Sequence, residues 1–183
     1  MGWDIDKDLE ALQNNLGLDE SFIDDLYKQD DWSFIIKLSA LVEATCTHAI
    51  SVLFGYPQLE GCFTYLDQSN PKVGRVKLLK EMGVIFDNQA KILKALAELR
   101  NTVSHDVKNV NFKFSEHIKD LDKNQIKNFI ANFGNALKDE ITIGNKVHTK
   151  RDVVLGAPKY AILSSVSEIL ACVNLHIRSY KKT

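Results

Sequence analysis

The stretch that decides the fold is a long apolar segment in the first third of the chain. Residues 32–54 have the sequence WSFIIKLSALVEATCTHAISVLF, in which the apolar run is interrupted by Lys37, Glu43 and His48. A helix of this composition is apolar on most of its sides, which is typical of a helix at the centre of a bundle. Gly55 and Pro57 follow directly and predict where the helix ends.

Shorter amphipathic segments lie on either side of this helix in the sequence. Asn70-Pro71 favours a helix start, because proline at the first helical position gives up an N–H that has no intrahelical partner. Apolar spacing and capping residues predict helices in residues 4–16, 19–27, 71–82, 87–105, 122–138 and 158–180, and one or two helical turns in 58–67. Residues 141–149 instead place β-prone residues around Gly144-Asn145, which suits a two-residue hairpin turn. We therefore predict an all-α helical bundle with a small β-hairpin near residues 141–149.

The composition excludes several classes of protein. The 183 residues are 45% hydrophobic and 26% charged, with 3 Pro and 9 Gly, which is typical of one globular domain and excludes disordered and collagen-like chains. We expect no membrane-spanning run and no secretory signal, and hence a soluble, cytoplasmic protein without a membrane partner. The 3 cysteines include no CxxC pair, so free thiols in a reducing compartment are expected.

The charge is unevenly distributed along the chain. Residues 1–31 carry ten acidic and two basic side chains, a net charge of −8, which leaves 21 basic and 14 acidic residues, a net charge of +7, in the rest. Four bases and no acid lie between positions 72 and 80, and we expect them either to contact RNA phosphates or to form a solvated helix face: Lys72, Arg75, Lys77 and Lys80. One hypothesis is that the acidic segment, residues 1–30, shields a basic cleft.

The segment that carries chemistry ends the helix predicted for residues 87–105. It reads LRNTVSHD from 99 to 106 and includes Arg100, Asn101 and His105. A guanidinium suits charge stabilisation in phosphoryl transfer, and an imidazole exchanges protons near neutral pH. At 100° per residue, Asn101 and His105 lie about 40° apart, whereas Arg100 and His105 lie about 140° apart. The alternative interpretation is a surface Arg–Asp pair beside a histidine at the helix C-terminus.

The spacing of Arg100-Asn101 and His105 resembles the R-x4-H motif of the HEPN superfamily. Residues 76–85 and 96–105, VKLLKEMGVI and LAELRNTVSH, are similar to the mannitol operon repressor-like branch, and a long helix containing Glu43 precedes them. The resemblance covers residues 31–115, the expected HEPN-like core. Residues 1–30 would be an acidic helical segment, and residues 116–183 the C-terminal helices and hairpin of the same single domain.

The resemblance implies a homodimer in which two such motifs face each other, and a metal-independent endoribonuclease of a toxin, antiviral or stress system. Arg100, Asn101 and His105 would then be catalytic, with Glu43, Ser104 and Asp106 in supporting roles. His105 would move the proton of an RNA 2′-OH while Arg100 stabilises charge on the phosphate. No metal or cofactor is expected, since the 5 histidines lack ligand spacing. An antitoxin or regulatory protein is a further expected partner.

Two alternatives stay open at this stage. One is a non-catalytic module that binds nucleotide, RNA or a partner protein in a regulatory, repressor-like role. The other is a structural role, in which the Arg–His pair holds the dimer together. Val107 stands where nucleotidyl-modified members of the superfamily have a tyrosine, so that form of regulation is not expected here.

Overall fold

The central apolar helix predicted from the sequence is the axis of the fold. The computed structural model describes residues 5–19, 21–105, 107–143 and 146–180. Helix α3 (Asp31–Leu53) begins where Asp30 accepts the N–H of Ser33 on its side chain, at 2.9 Å, and it ends before Gly55, whose φ is +75°. This left-handed backbone favours glycine, so both boundaries follow from local chemistry.

The remaining helices and the hairpin follow in chain order. The helices are α1 (Ile5–Asn15), α2 (Phe22–Lys28), α4 (Glu60–Phe63), α5 (Arg75–Glu81), α6 (Asp87–Ser104), α7 (Phe114–Asp120), α8 (Lys123–Phe133), α9 (Lys150–Gly156) and α10 (Pro158–Tyr180). Short 3-10 turns occupy Pro57–Leu59 and Val107–Asn111. Strands β1 (Glu140–Ile143) and β2 (Lys146–Thr149) form an antiparallel pair with Ile141 opposite His148. The predicted all-α bundle with a small hairpin is confirmed; the turn residues Gly144 and Asn145 lie outside the described residues.

The core is built around α3 and α10. Helix α3 packs against α10, α6, α5, α2 and α4, and α1 packs along α10. Phe34 on α3 is fully buried and meets the ring of Phe114 edge-on, with ring centroids 6.4 Å apart. Trp32 donates its indole N–H to the carbonyl of Val103 at 3.1 Å, which fixes the end of α6 against the start of α3. The segment that carries chemistry is therefore held in place by the best-packed part of the fold.

The sequence prediction misplaced the start of α5 and the end of α8, and it missed two helices. Helix α5 begins at Arg75 instead of Pro71, because Asn70 turns its side-chain oxygen to the N–H groups of Lys72 and Val73 and closes a separate turn. Helix α8 ends at Phe133, before Gly134, and not near residue 138. Helices α7 and α9 were not predicted, although Thr149 and Asp152 form a capping box at the start of α9.

Helices α3 and α10 are both long and apolar enough, by length and composition, to cross a membrane. The expectation that no segment reaches this threshold is therefore wrong. In the most apolar 18-residue window, 67% of α3 and 61% of α10 is buried inside the fold. Burial of this extent accounts for the apolar composition of both helices as the centre of a packed core.

Candidate functional site

Helix α6 buries its apolar face in the core and leaves the polar residues near its C-terminus at least partly exposed to solvent. Leu99 and Val103 are buried, Arg100 and Asn101 are half-buried, and His105 is exposed. This arrangement follows from helical periodicity for Arg100, which lies about 100° around the helix from Leu99 and about 60° from Val103, at the boundary between the buried face and solvent. The polar residues of the segment are therefore accessible to a ligand.

Glu43 on α3 joins two arginines from different helices. One of its carboxylate oxygens lies 3.1 Å from the Arg75 Nη2, and the other lies 3.3 Å from the Arg100 Nη2. The Glu43 side chain is 28% exposed. Bridging hydrogen bonds of this kind fix both guanidinium groups, and the three side chains together carry a net charge of +1. The acid that the sequence analysis gave a supporting role is thus paired with two arginines, one on α5 and one on α6.

Arg75 is the buried member of this cluster. Its side chain is 6% exposed, and it also donates from Nη1 to the hydroxyl of Thr47 at 2.9 Å. It is the first residue of α5, and the preceding Gly74 is closely enclosed: a Cβ there would lie 2.5 Å from the carbonyl oxygen of Asn70. The structure therefore places Arg75 inside the fold beside Glu43, and not on an exposed basic face with its neighbours in sequence.

Arg100 is held by two acceptors at once. Its Nη2 meets Glu43, and its Nη1 donates to the side-chain oxygen of Asn101 at 3.0 Å. The Arg100 side chain is 40% exposed. It thus keeps solvent-facing area for a ligand while its planar group is oriented from two sides.

These side chains line an open polar cleft of about 170 Å³. Helices α3, α5 and α6 contribute Glu43, Arg75, Arg100 and Asn101, and the loop before α5 contributes Asp67, Gln68 and Ser69. The acidic segment does not cover this cleft, because α1 packs along α10 and none of the described residues in 1–30 is among its lining. The shielding hypothesis therefore has no support on this face.

His105 lies outside the lining of the cleft. It caps the C-terminus of α6 through its backbone N–H, which donates to the carbonyl of Asn101 at 3.2 Å, and its side chain has no hydrogen bond to any described residue. Five residues of helix separate it from Arg100, about 7.5 Å along the axis and about 140° around it. The structure brings Arg100, Asn101 and Glu43 together and places His105 on another side of the same helix.

Of the two other predicted supporting residues, Ser104 is the one that the structure describes. Ser104 is exposed, and its hydroxyl lies 3.4 Å from the carbonyl of Asn101, which is an ordinary contact within the helix. Asp106 lies outside the described residues. Among the residues that are described, no group of three or more His, Cys, Asp or Glu side chains is arranged to hold a metal ion.

A groove between α5 and α6 adjoins the cleft at Ser69 and carries most of the nearby basic side chains. Its lining includes Lys77, Lys80, Lys91 and Lys94 against the single acid Asp87, around a volume of about 230 Å³. Lys77 pairs with Glu81, and Lys80 pairs with Asp87 at 2.6 Å, which raises the pKa of Lys80. Lys72 is exposed in the preceding turn.

Sequence reasoning missed Lys91 and Lys94, because they lie more than ten residues beyond the basic run. A usable signal exists, since the i, i+3 spacing of Lys91 and Lys94 repeats that of Lys77 and Lys80 on the preceding helix. Gln68 was also missed. It lies in a loop with no periodic pattern, and only the fold brings it against the cleft.

Comparison of the chain with protein-family models, with curated proteins and with solved structures finds no match.

Proposed function

We propose that the chain is a metal-independent endoribonuclease that works as a homodimer. The observation that carries the proposal is the accessibility of the polar residues at the end of α6. Arg100 and Asn101 line a polar cleft, and the exposed imidazole of His105, which has no hydrogen bond to a described residue, follows at the C-terminus of the same helix. The R-x4-H spacing, which resembles that of the HEPN superfamily, supplies the reaction class. The free cysteines suit the reducing cytoplasm, where RNA substrates are found.

The reaction needs a base, an acid and charge stabilisation at one phosphate. His105 accepts the proton of the ribose 2′-OH, whose oxygen forms a bond to the adjacent phosphorus while the bond from phosphorus to the 5′-oxygen breaks. Arg100 stabilises the charge on the phosphate oxygens, and Asn101 orients the guanidinium. A water molecule gives a proton to the leaving 5′-oxygen, so the products end in a 2′,3′-cyclic phosphate and a 5′-hydroxyl.

One copy of the chain does not place Arg100 and His105 at the same phosphate, because they lie on different sides of α6. A dimer in which two α6 ends face each other removes this difficulty, since Arg100 of one copy then lies near His105 of the other. The homodimer is therefore part of the proposed mechanism. A partner such as an antitoxin would act by covering this shared surface.

The RNA strand would enter along the groove between α5 and α6. Four lysines line it, it adjoins the cleft at Ser69, and a flexible ammonium suits phosphate contacts along a strand. Of the four residues in the predicted basic run, Lys77 and Lys80 line this groove and Lys72 lies in the turn that precedes it. Arg75, the fourth residue of the run, lines the cleft instead.

The test is cleavage of a mixed RNA pool in the presence of EDTA. We expect the wild type to cleave, and folded Arg100→Ala and His105→Ala variants to lose the activity. Arg151→Ala and His148→Ala, on α9 and β2, are matched controls that should keep it. Absence of cleavage by the folded wild-type dimer would contradict the proposal.

A second candidate function is a non-catalytic module that binds nucleotide or RNA in a regulatory role. The observation that favours it is the engagement of Arg100 by both Glu43 and Asn101, which resembles a fixed binding element more than a free catalytic guanidinium. Under this function the wild type binds RNA without cutting it, and Arg100→Ala weakens binding.

A further inference from the structure

The exposed face of α6 connects the groove between α5 and α6, the lysine groove, with His105 at the end of the helix. At about 100° per residue, Lys94 lies about 20° from His105 around the helix, and Lys91 lies about 40° from it. His105 keeps helical backbone angles, with φ of −78° and ψ of −16°, and all three side chains are exposed. Lys94 and His105 are about 17 Å apart along the axis, at about 1.5 Å per residue. A strand of RNA that lies along this face can therefore contact both lysines and the imidazole of one copy.

Arg100 of the same copy lies on a different side of α6. It is about 120° from Lys94 and about 140° from His105 around the helix. Its guanidinium is held in the cleft by the side-chain oxygens of Glu43 and Asn101. A strand that follows the exposed face of α6 therefore diverges from the guanidinium of its own copy.

The charges of the two surfaces favour the exposed face over the cleft. Two arginines and two acids line the cleft, so a chain of phosphates gains little net attraction there. Four lysines and one acid line the lysine groove. Lys77 and Lys80 are paired with acids, whereas Lys91 and Lys94 on α6 form no ion pair with any residue that the structure describes. Lys91 and Lys94 are thus the cations best placed to hold phosphates.

Glu98 is the one acid between Lys94 and His105 in the sequence. It lies about 20° from His105 around the helix, and it lines a separate pocket between α6 and α8. Asn101, about 40° from His105 on the opposite edge of the same face, is neutral. Because a carboxylate repels phosphates, the path of the strand runs along the Asn101 edge.

We propose that each active site receives its RNA strand from the lysine groove of the copy that supplies His105, while the other copy supplies Arg100. This inference rests on the proposed function for the reaction and for the homodimer. Lys91 and Lys94 are then positioning residues, which hold phosphates on one side of the scissile bond and act on the reaction through the strand. The occupant of the groove is a single strand of RNA whose phosphates follow the face of one helix.

A mixed dimer with one complete site tests which copy delivers the strand. One chain carries His105→Ala and supplies Arg100, and the other carries Arg100→Ala and supplies His105. Lys91→Ala with Lys94→Ala is added to one chain at a time, and kcat and KM are measured with a 12-nucleotide RNA. In the chain that supplies His105, we expect KM to rise about tenfold at constant kcat, because lost phosphate contacts weaken strand binding. In the chain that supplies Arg100, we expect a rise of at most about twofold.

Lys123→Ala with Lys127→Ala, two exposed lysines on α8, is the matched control and should leave both constants unchanged in either chain. Equal effects of the groove substitutions in the two chains, or a larger effect in the chain that supplies Arg100, would overturn the inference and leave the proposed function standing. An inactive mixed dimer would instead contradict the shared site of the proposed function.

Strand binding without cleavage gives a second readout. A 2′-O-methyl RNA is not cut, because a methyl group replaces the proton that His105 would accept. Nitrogen-15 NMR of a mixed dimer in which one chain is labelled follows the His105 imidazole of that chain. We expect half of the signal shift to need about tenfold more RNA when Lys91→Ala with Lys94→Ala is in the labelled chain than when it is in the unlabelled chain. An equal response in the two arrangements, or no shift at all, would overturn the inference even for a chain that binds RNA without cutting it.

Discussion

At the scale of single residues, the cluster around Glu43 shows how one acid organises a site. It lies on the most apolar helix, where an unpaired carboxylate would be unfavourable, and it is stabilised by two arginines that are distant in sequence. The same contacts that make the acid tolerable orient Arg100 toward the cleft. We therefore expect the stability of the fold and the proposed activity to depend on the same side chain.

Replacement of Glu43 tests this dependence. Glu43→Ala leaves the buried Arg75 charge without its carboxylate, and we expect a loss of about 3 kcal/mol in the free energy of unfolding, measured by urea denaturation. Glu81→Ala removes an exposed partner of Lys77 and serves as the control, with no measurable change expected. Equal effects of the two substitutions would refute this description of the cluster.

The cysteines should differ sharply in reactivity. Burial raises the pKa of Cys46 to about 11, whereas Cys62 is exposed. At pH 8 we expect iodoacetamide to modify Cys62 in the folded protein and to reach Cys46 only after unfolding, because the thiolate is the nucleophile. Peptide mass spectrometry measures both. Modification of native Cys46 at the rate of Cys62 would show that the core around α3 is open to solvent.

His117 should make stability depend on pH. Its ring packs near Phe112 and Phe129, and partial burial lowers its pKa while Asp120 opposes this shift. The unfolded chain therefore binds the proton more readily than the folded chain. The contribution of His117 to stability is fully present above a pH of about 6.5, and it is lost as the pH falls from there through the lower pKa of the folded state. We expect the fall in melting temperature between pH 7.5 and 5 to be smaller in His117→Leu than in the wild type. A His148→Leu variant should behave like the wild type.

At the scale of helices and strands, apolar spacing in the sequence predicted the long helices well, whereas the irregular loops were predicted poorly. The spacing of residues 87–105 and 158–180 anticipated α6 and α10 closely, because long amphipathic helices encode their buried face in every turn. The loop from Asp67 to Gly74 escaped prediction, since its two side-chain turns depend on hydrogen bonds that compete with a helix start. Arg100, Asn101, His105 and Glu43 could be named from sequence. Their grouping could not, because only packing shows that Arg75 and Gln68 join the first two while His105 does not.

The groove between α5 and α6 carries a prediction of its own. We expect the double variant Lys91→Ala with Lys94→Ala to bind a fluorescent 12-nucleotide RNA more weakly. The slope of log affinity against log salt should fall in magnitude by about 1.4, the value for two lost single-strand phosphate contacts. Fluorescence anisotropy at several salt concentrations measures this. Lys123→Ala with Lys127→Ala, two exposed lysines on α8, is the matched control, and an equal change there would show that binding is unspecific to the groove.

At the scale of the whole molecule, the acidic N-terminal segment belongs to the core. Leu12 and Leu26 are buried, and Arg178 near the end of α10 pairs with the buried Asp8 at 2.7 Å. The segment therefore closes the bundle on the side of α10. The acidic residues of the sequence are thus concentrated in this layer, whereas the lysine groove and the cleft lie on α3, α5 and α6.

The central claim is that each of two active sites combines Arg100 of one copy with His105 of the other, and a mixed dimer tests it most directly. Arg100→Ala and His105→Ala chains are co-expressed with different tags and purified as the heterodimer, and RNA cleavage is measured against each homodimer. A shared site predicts that both homodimers are inactive and that the heterodimer recovers about half of the wild-type activity, because one of its two sites keeps both residues. A heterodimer as inactive as the homodimers would contradict the account.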